Sequence, residues 1–500
     1  MDKSRGLKNI VFGIAAQVIT IILGIMIPRL VLVNLGSESN GLLSSVGNAL
    51  IYMSLLEAGV GTATIQALYA PLGKNDQESI KHIMAATDHF YRRTGKIYLV
   101  AVIGLAIGYT VVVSTTLPKS TVFAVIMISG LSGVTSYFFQ GKYKLLLSAE
   151  GKDYITTNIS TLTSACVSIT KVILLIYRFD VVAIQVSYLI FNLIQTVFFS
   201  IYIRKNYKWL DLKVTPDLEA ISQKNAVLVH QISGLIFNNT DVIILTVFTS
   251  LNTVSVYSMY AMIFGMVKSV VVTVSGSFVY ALGQQFHDRK RFLRLFDVYE
   301  VYNIAISSAL FCIARILIIP FLQIYTAGVT DVNYIDRYLP WLFAIYYLLH
   351  NGRVSSNTVI NIAQEFENTK WRSVLESIIN IVVSIALTAK LGIYGVLIGT
   401  IAALLYRTND VIIYASKILK RTPLTTYRRW ILNLTVFAII NIIAGKIEIK
   451  INSYFNFIVN GVIFSVIIIT VFIAIDSVAE PKTAKNAWSM VKNLVKSKLK

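Results

Sequence analysis

Apolar positions along this chain come in blocks. Runs of about 20 mostly hydrophobic residues recur from residue 7 to residue 476, separated by short polar connections. A block of that length crosses ~30 Å of hydrocarbon as a helix. Fourteen such helices are predicted, among them single uninterrupted helices over 41–70 and 337–363. The longest connections follow predicted helices 2, 6, 8 and 14, and no connection on the side away from the termini is large enough to form a domain.

Seven of the predicted helices carry one polar stripe on an otherwise apolar surface. Helix 2 has Ser54, Glu57, Gly61 and Thr64. Helix 5 has Ser160, Ser164, Ser168 and Lys171. Helix 7 has His230, Gly234, Asn238 and Asp241, and helix 8 has Tyr257, Ala261, Lys268 and Ser275. Helix 9 offers Ser308, Cys312 and Arg315. Helix 10 has the longest stripe, Tyr346, His350, Arg353, Asn357 and Gln364. Helix 12 has Thr400, Arg407, Asp410 and Tyr414. None can face lipid cheaply, because a charge at mid-bilayer costs ~2.5–3.5 kcal/mol even on insertion scales. The stripes are therefore expected to converge on a hydrated cavity between two bundles.

Composition agrees. Of 500 residues, 55% are hydrophobic and 14% charged, and the mean hydropathy is +0.68. A soluble chain of this length would need more charge to cover its surface. The net charge of +20 does not point to nucleic acid, because its distribution is a topology signal. With the N-terminus in the cytoplasm, 33 of the 45 Lys and Arg fall on the cytoplasmic side, seven outside and five within helices. That places both termini in the cytoplasm. Cys166 and Cys312 lie within predicted helices and read as packing residues. The basic start, MDKSRGLK, precedes a first helix with no small-residue cleavage site, so it reads as an uncleaved span. The end, AKNAWSMVKNLVKSKLK, reads as a short helix on an anionic membrane surface or as a disordered basic tail.

The triplet VSI occurs at 167–169 and again at 383–385, 216 positions on. This suggests an internal repeat, a common plan in secondary transporters with the site at the repeat interface. The expected organisation is a six-helix bundle over 1–210, a second over 223–417, an added helix pair over 427–476 and a basic tail over 477–500.

Inside the helices, cations outnumber anions. Lys171, Lys268, Arg315, Arg353 and Arg407 are deep, and Arg29 sits at the rim after Pro28. The deep anions expected are Glu57, Asp241 and Asp410, and His230, Asn238, His350 and Asn357 add neutral polarity. Several have a plainer reading. Arg29 can snorkel; Arg407 and Asp410, three apart, can pair; Asp241 can neutralise Lys171 or Lys268. Glu57 can take up H+ or Na+, or pair with an arginine. A cavity of net positive character suits an anionic cargo. No phosphate-binding G-x-x-x-x-G-K-[ST], H-E-x-x-H, paired CxxC or nucleophile elbow occurs. No catalytic residue, metal ligand or cofactor is therefore assigned, and the chain is not read as an enzyme.

The opening IPRLVLVNLGSESNGLLSSV, followed by LLEAGVGTATIQAL, resembles the start of polysaccharide repeat-unit (O-antigen or capsule) flippases, members of the multidrug/oligosaccharidyl-lipid/polysaccharide exporter superfamily. The LG…NGL link and E-A-G-V-G carry the resemblance, with helix count, orientation and the six-plus-six-plus-two arrangement along the whole chain. It implies a multi-pass protein of the bacterial plasma membrane that moves undecaprenyl-diphosphate-linked glycan from the inner to the outer leaflet by alternating access. The diphosphate would meet the arginines and lysines, and membrane lipids would surround the trailing prenyl chain. Polysaccharide polymerase and glycosyltransferases would be partners. The alternatives are a cation-coupled multidrug exporter, more typically of twelve helices with an acidic site, and the flippase for the peptidoglycan lipid precursor. Further off is a membrane-embedded polymerase, for which the longest external link, around TAGVTDVNYIDRY, is too small to hold a site.

Overall fold

The structure is a computed structural model that describes residues 3–57, 60–221, 225–446, 451 and 453–498. Side chains before residue 23, at 225–231, 274, 277, 280, 366 and 491, and from 493 onward lie outside the description. Among the described residues, all regular structure is helical. Ten helices are long and apolar enough to cross a membrane. A further pair, 23–57 and 60–74, is bent by 45° at its break, and Ile232–Phe248 is a shorter apolar helix. The chain is a multi-pass membrane protein.

It divides into two compact units, 1–255 with 328–332, and 256–327 with 333–500. The first holds α1 (Lys3–Met53), α2 (Val60–Lys74), α3 (Gln77–Val112), α4 (Lys119–Thr135), α5 (Gly141–Ala149), α6 (Asp153–Ile176), α7 (Val181–Asn206) and α8 (Asn225–Phe248). α1 packs on α6 and α8, α3 on α4, and α7 on α4 and α6. The link after α7 belongs to this unit. Tyr207 and Ile221 are buried in its core, Trp209, Leu210 and Leu212 pack there, and His82 Nδ1 lies 2.6 Å from the Thr215 carbonyl.

The predicted link between helices 1 and 2 is no open loop. The helix turns sharply at Gly36, with φ of 81°, a conformation that costs glycine little. The restarted helix needs acceptors for its first N–H groups. Asp331 supplies one, accepting from the Ser37 N–H at 2.7 Å and from its hydroxyl at 2.8 Å. The expected single helix over 41–70 is broken. A 3₁₀ turn spans Ser54–Glu57 before α2, and Ser54 Oγ donates to the Ile51 carbonyl at 2.7 Å, a back-bond that bends helices.

The second unit holds α9 (Leu251–Gln285, from Val256 on), α10 (Arg289–Tyr325), α11 (Leu339–Gly352), α12 (Val354–Ile362), α13 (Phe366–Leu391), α14 (Ile393–Ile418), α15 (Leu424–Ala444), α16 (Tyr454–Ala479) and α17 (Pro481–Lys498). The expected helix over 337–363 breaks at Arg353, between α11 and α12. α9, α10 and α11 interlock through rings: Phe264 stacks with Phe311, Phe343 and Tyr347, with centroids 5.6–6.4 Å apart. α16 buries only Ile468, Phe472 and Asp476 and turns Phe455, Ile458 and Val466 outward, as a helix against lipid does.

An ionic corner ties α10, α15 and α17 together. Glu300, fully buried, accepts from Arg421 at 2.5 Å and from Thr426 at 2.9 Å, and pairs with Arg429. Arg429 also binds both carboxylate oxygens of Glu480 at 2.7 Å. Burial pushes the Glu480 carboxyl up, but the hydrogen bonds and charge of Arg429 together with the hydrogen bonds from Thr483 and Arg428 hold it below the ordinary glutamate value.

α13 and α14 pack backbone to backbone. A Cβ on Gly399 would lie 2.2 Å from Ser384 Oγ and 2.6 Å from its nitrogen, so the contact needs glycine. Gly399→Val is expected to destabilise the protein by about 1–3 kcal/mol or more, as overpacking does, and to lower the melting temperature measured in detergent by fluorescence.

Candidate functional site

Each unit places part of the predicted polar set. In the second, the break after α11 presents Arg353 to Glu376 on α13, and the two are paired. Arg407 on α14 reaches Glu376 at 3.6 Å, Asp410 at 2.5 Å and Ser373 Oγ at 3.1 Å. Arg372 closes the chain on Asp410 from a more exposed position. Three arginines thus share two carboxylates, leaving one positive charge in excess.

Glu376 corrects the expected set of deep anions. It is buried on a spanning helix and neutralises part of the charge of Arg353 and Arg407. In the sequence it lies early in helix 11 and belongs to no stripe. The signal that could have found it is its spacing from Asn380 and Ser384, at i+4 and i+8, both buried on the same face. Asp88 and Glu300 are buried too. Lys142 and Arg92 pair with Asp88, so these basic residues are more than topology markers.

Lys268 on α9 lies 3.2 Å from His350 Nε2 on α11, and Tyr346 packs edge-on to His350. Asn357, half-buried, follows on α12. Arg315 stands apart from this group. Its guanidinium stacks 3.9 Å over the Trp341 ring.

In the first unit, the serine stripe of α6 lines a cavity of about 500 Å³ with α1. Ser160, Thr161, Ser164 and Ser168 form one wall, and Leu23, Gly24, Ile27 and Pro28 the other. Pro28 lacks the N–H that would bond the carbonyl four residues back. That carbonyl belongs to Gly24, which also lines the cavity. Lys171 continues the stripe one turn beyond Ser168 and lies 5.5 Å from the Tyr188 ring. It has no carboxylate partner among the described residues, so Asp241 does not neutralise it. Arg29, half-buried, follows Pro28.

Glu57 ends the 3₁₀ turn and accepts from the Tyr91 hydroxyl. Its companions are tyrosines rather than an arginine: Tyr137, on a π-helical stretch at Ser136–Gln140, lies close to it as well. A π-turn inside a helix often marks a functional position. Thr64, beyond the break, bonds Thr87 at 3.2 Å. Asp241 on α8 is buried and Asn238 is exposed. The side chain of His230 lies outside the described residues.

No family profile and no curated protein matches this sequence. Solved structures do. "Lipid II flippase MurJ, inward closed conformation" superposes with a TM-score of 0.72 at 14% identity, over 95% of this chain and 99% of that one. An inward-facing multidrug resistance MATE family transporter of the MOP superfamily gives 0.64 at 14% identity, over 80% of this chain and 96% of that one. A MATE structure in a bent conformation gives 0.51 at 14% identity, over 81% and 95%. The fold is that of MOP-type transporters. At these identities the likeness concerns the fold alone.

Removing Glu376 would take away the carboxylate that the guanidinium groups of Arg353 and Arg407 share. Glu376→Ala is expected to cost about 3–5 kcal/mol, the usual penalty for breaking a buried pair. In a double-mutant cycle with Arg353→Met, measured by thermal unfolding, much of that loss should be recovered; additive losses would show that the pair does not couple.

Proposed function

We propose that this chain is a flippase for an anionic, lipid-linked oligosaccharide, moving undecaprenyl-diphosphate-linked repeat units from the inner to the outer leaflet of a bacterial plasma membrane by alternating access. One observation carries the reading. Lys171, Lys268 and Arg315 lie on membrane-spanning helices and have no carboxylate partner among the described residues. Uncompensated cations are costly inside a membrane, and a diphosphate offsets that cost by charge-assisted hydrogen bonds. A cationic drug would add to it.

The hydroxyls of Ser160, Ser164 and Ser168 suit a sugar, which exchanges hydrogen bonds with them at little net energy. An inside-negative potential favours outward movement of an anion by ~2.3 kcal/mol per charge per 100 mV. H+ or Na+ coupling through Glu57 or Asp241 belongs to the same proposal. Polysaccharide polymerase and glycosyltransferases would act on the same lipid-linked unit before and after it crosses. A second reading is the peptidoglycan lipid precursor as cargo. It is favoured by the length of the likeness to the lipid II flippase, which covers 95% of this chain against 80% for the MATE transporter.

The test is depletion in cells, followed by extraction of lipid-linked oligosaccharides and labelling with reagents confined to one side. Intermediates should accumulate on the cytoplasmic side. Wild type should clear them, and Lys171→Gln should clear them at least about tenfold more slowly, the loss of one charge-assisted contact. No accumulation, with greater sensitivity to cationic dyes, would instead indicate drug export.

A further inference from the structure

Arg315 is the in-span guanidinium whose environment the rest of the second unit does not explain. Arg353, Arg407 and Arg429 each engage carboxylates. Arg315 engages none among the described residues, and its Nε is enclosed without a hydrogen-bond partner. Among the described residues its guanidinium contacts the face of Trp341, at 3.9 Å. Stacking satisfies the face of a guanidinium and leaves its N–H edge unspent, and that edge is the part that matches phosphate in a two-pronged fork.

The surroundings are polar in the same incomplete way. Cys312, one turn before Arg315, accepts from Asn441 Nδ2 of α15 at 3.2 Å. Asn441 Oδ1 is buried without a partner. Trp341 in turn meets Phe437 of α15 edge-on, centroids 6.3 Å apart. An unpaired donor and an unpaired acceptor therefore sit around one seam of α10, α11 and α15.

The depth of the seam identifies the ligand's chemistry. Trp341 is the third residue of α11, and Asn441 lies three residues from the end of α15. Arg315 is ten residues short of the end of α10, ~15 Å at 1.5 Å per residue. Trp341 and the ends of α11 and α15 mark the interfacial belt, where the phosphates of lipids lie, and the stacking contact brings the Arg315 guanidinium to the level of Trp341 although its backbone lies deeper on α10. By the charge distribution of the connections, it is the belt on the side away from the termini.

We infer that Arg315, held flat by Trp341, forms a binding site for a lipid-borne phosphate at the outer end of the α10–α15 seam. This deepens the proposed function, on which it relies only for the identity of the lipid. A translocated diphosphate would meet Arg315 on arrival in the outer leaflet; an ordinary anionic phospholipid offers the same group.

The experiment uses the full chain in phosphatidylcholine nanodiscs, with native mass spectrometry to count bound lipid. The probes are geranylgeranyl diphosphate, uncharged geranylgeraniol and phosphatidylglycerol. Wild type should prefer the diphosphate to the alcohol by at least about tenfold, the worth of a charged hydrogen bond. Arg315→Gln should abolish most of that preference. Arg315→Lys, which keeps the charge and loses the fork, should fall between and guards against a folding defect in the first variant. If phosphatidylglycerol is lost in parallel and to the same degree, the site takes phosphate from phospholipid in general. Preference for the diphosphate unchanged in a folded Arg315→Gln protein overturns the site, and it leaves the leaflet-labelling experiment to judge transport separately.

Discussion

A charged side chain carried into hydrocarbon must find a partner, water or a ligand. The idealised penalty for an ion without any of these is of order 20 kcal/mol, and several kcal/mol survive relaxation. Much of the interior of this protein follows from that constraint. Arg353 and Arg407 are shared between Glu376 and Asp410, Arg421 and Arg429 between Asp297 and Glu300. Lys142 answers Asp88. Glu57 accepts a hydrogen bond from the hydroxyl of Tyr91. Where pairing is this general, cations such as Lys171, Lys268 and Arg315, which have no carboxylate partner among the described residues, are the ones that need a reason.

These pairs hold only if the helices carrying them are fixed. α13 and α14, joined by the single residue Gly392, approach so closely at Gly399 that they form one plank, and Glu376, Arg407 and Asp410 all project from it. The stacked rings of Phe264, Phe343 and Tyr347 hold α9 to α11, and with it Lys268 to His350. In the first unit the polar wall of α6 lines a cavity instead of an ion-pair cluster. The proline that removes a hydrogen bond from α1 faces it.

The helices could be read from the sequence, because an apolar block of membrane length leaves few alternatives. The serine stripe of α6 was equally legible: a period of about four puts Ser160, Ser164 and Ser168 on one face, and they line one cavity. The breaks were not. Ser54 and Arg353 interrupt helices whose hydropathy continues unchanged, and a hydropathy pattern records composition, not backbone geometry. Glu376 escaped for another reason. Helical spacing says which face a residue occupies and nothing about what packs there, and its partners Arg353 and Arg407 are 23 and 31 positions away. The Asp331 cap on Ser37, 294 positions distant, is tertiary and has no local signal.

The kinds of cation also differ by place, and the difference bears on transport. A transporter must release what it binds, so strong fixed contacts along a pathway would trap the cargo. An arginine fork imposes direction and geometry on an anion, whereas a lysine ammonium is a point charge on a flexible stem that follows a moving phosphate. Two residues that, like Arg315, have no carboxylate partner among the described residues are lysines, Lys171 and Lys268. The arginines of the α11–α14 cluster are already engaged by carboxylates, which an incoming phosphate would have to displace. Net charge can then attract an anion while no single contact holds it tightly. Arg315, stacked on Trp341 and without a carboxylate partner among the described residues, departs from this pattern.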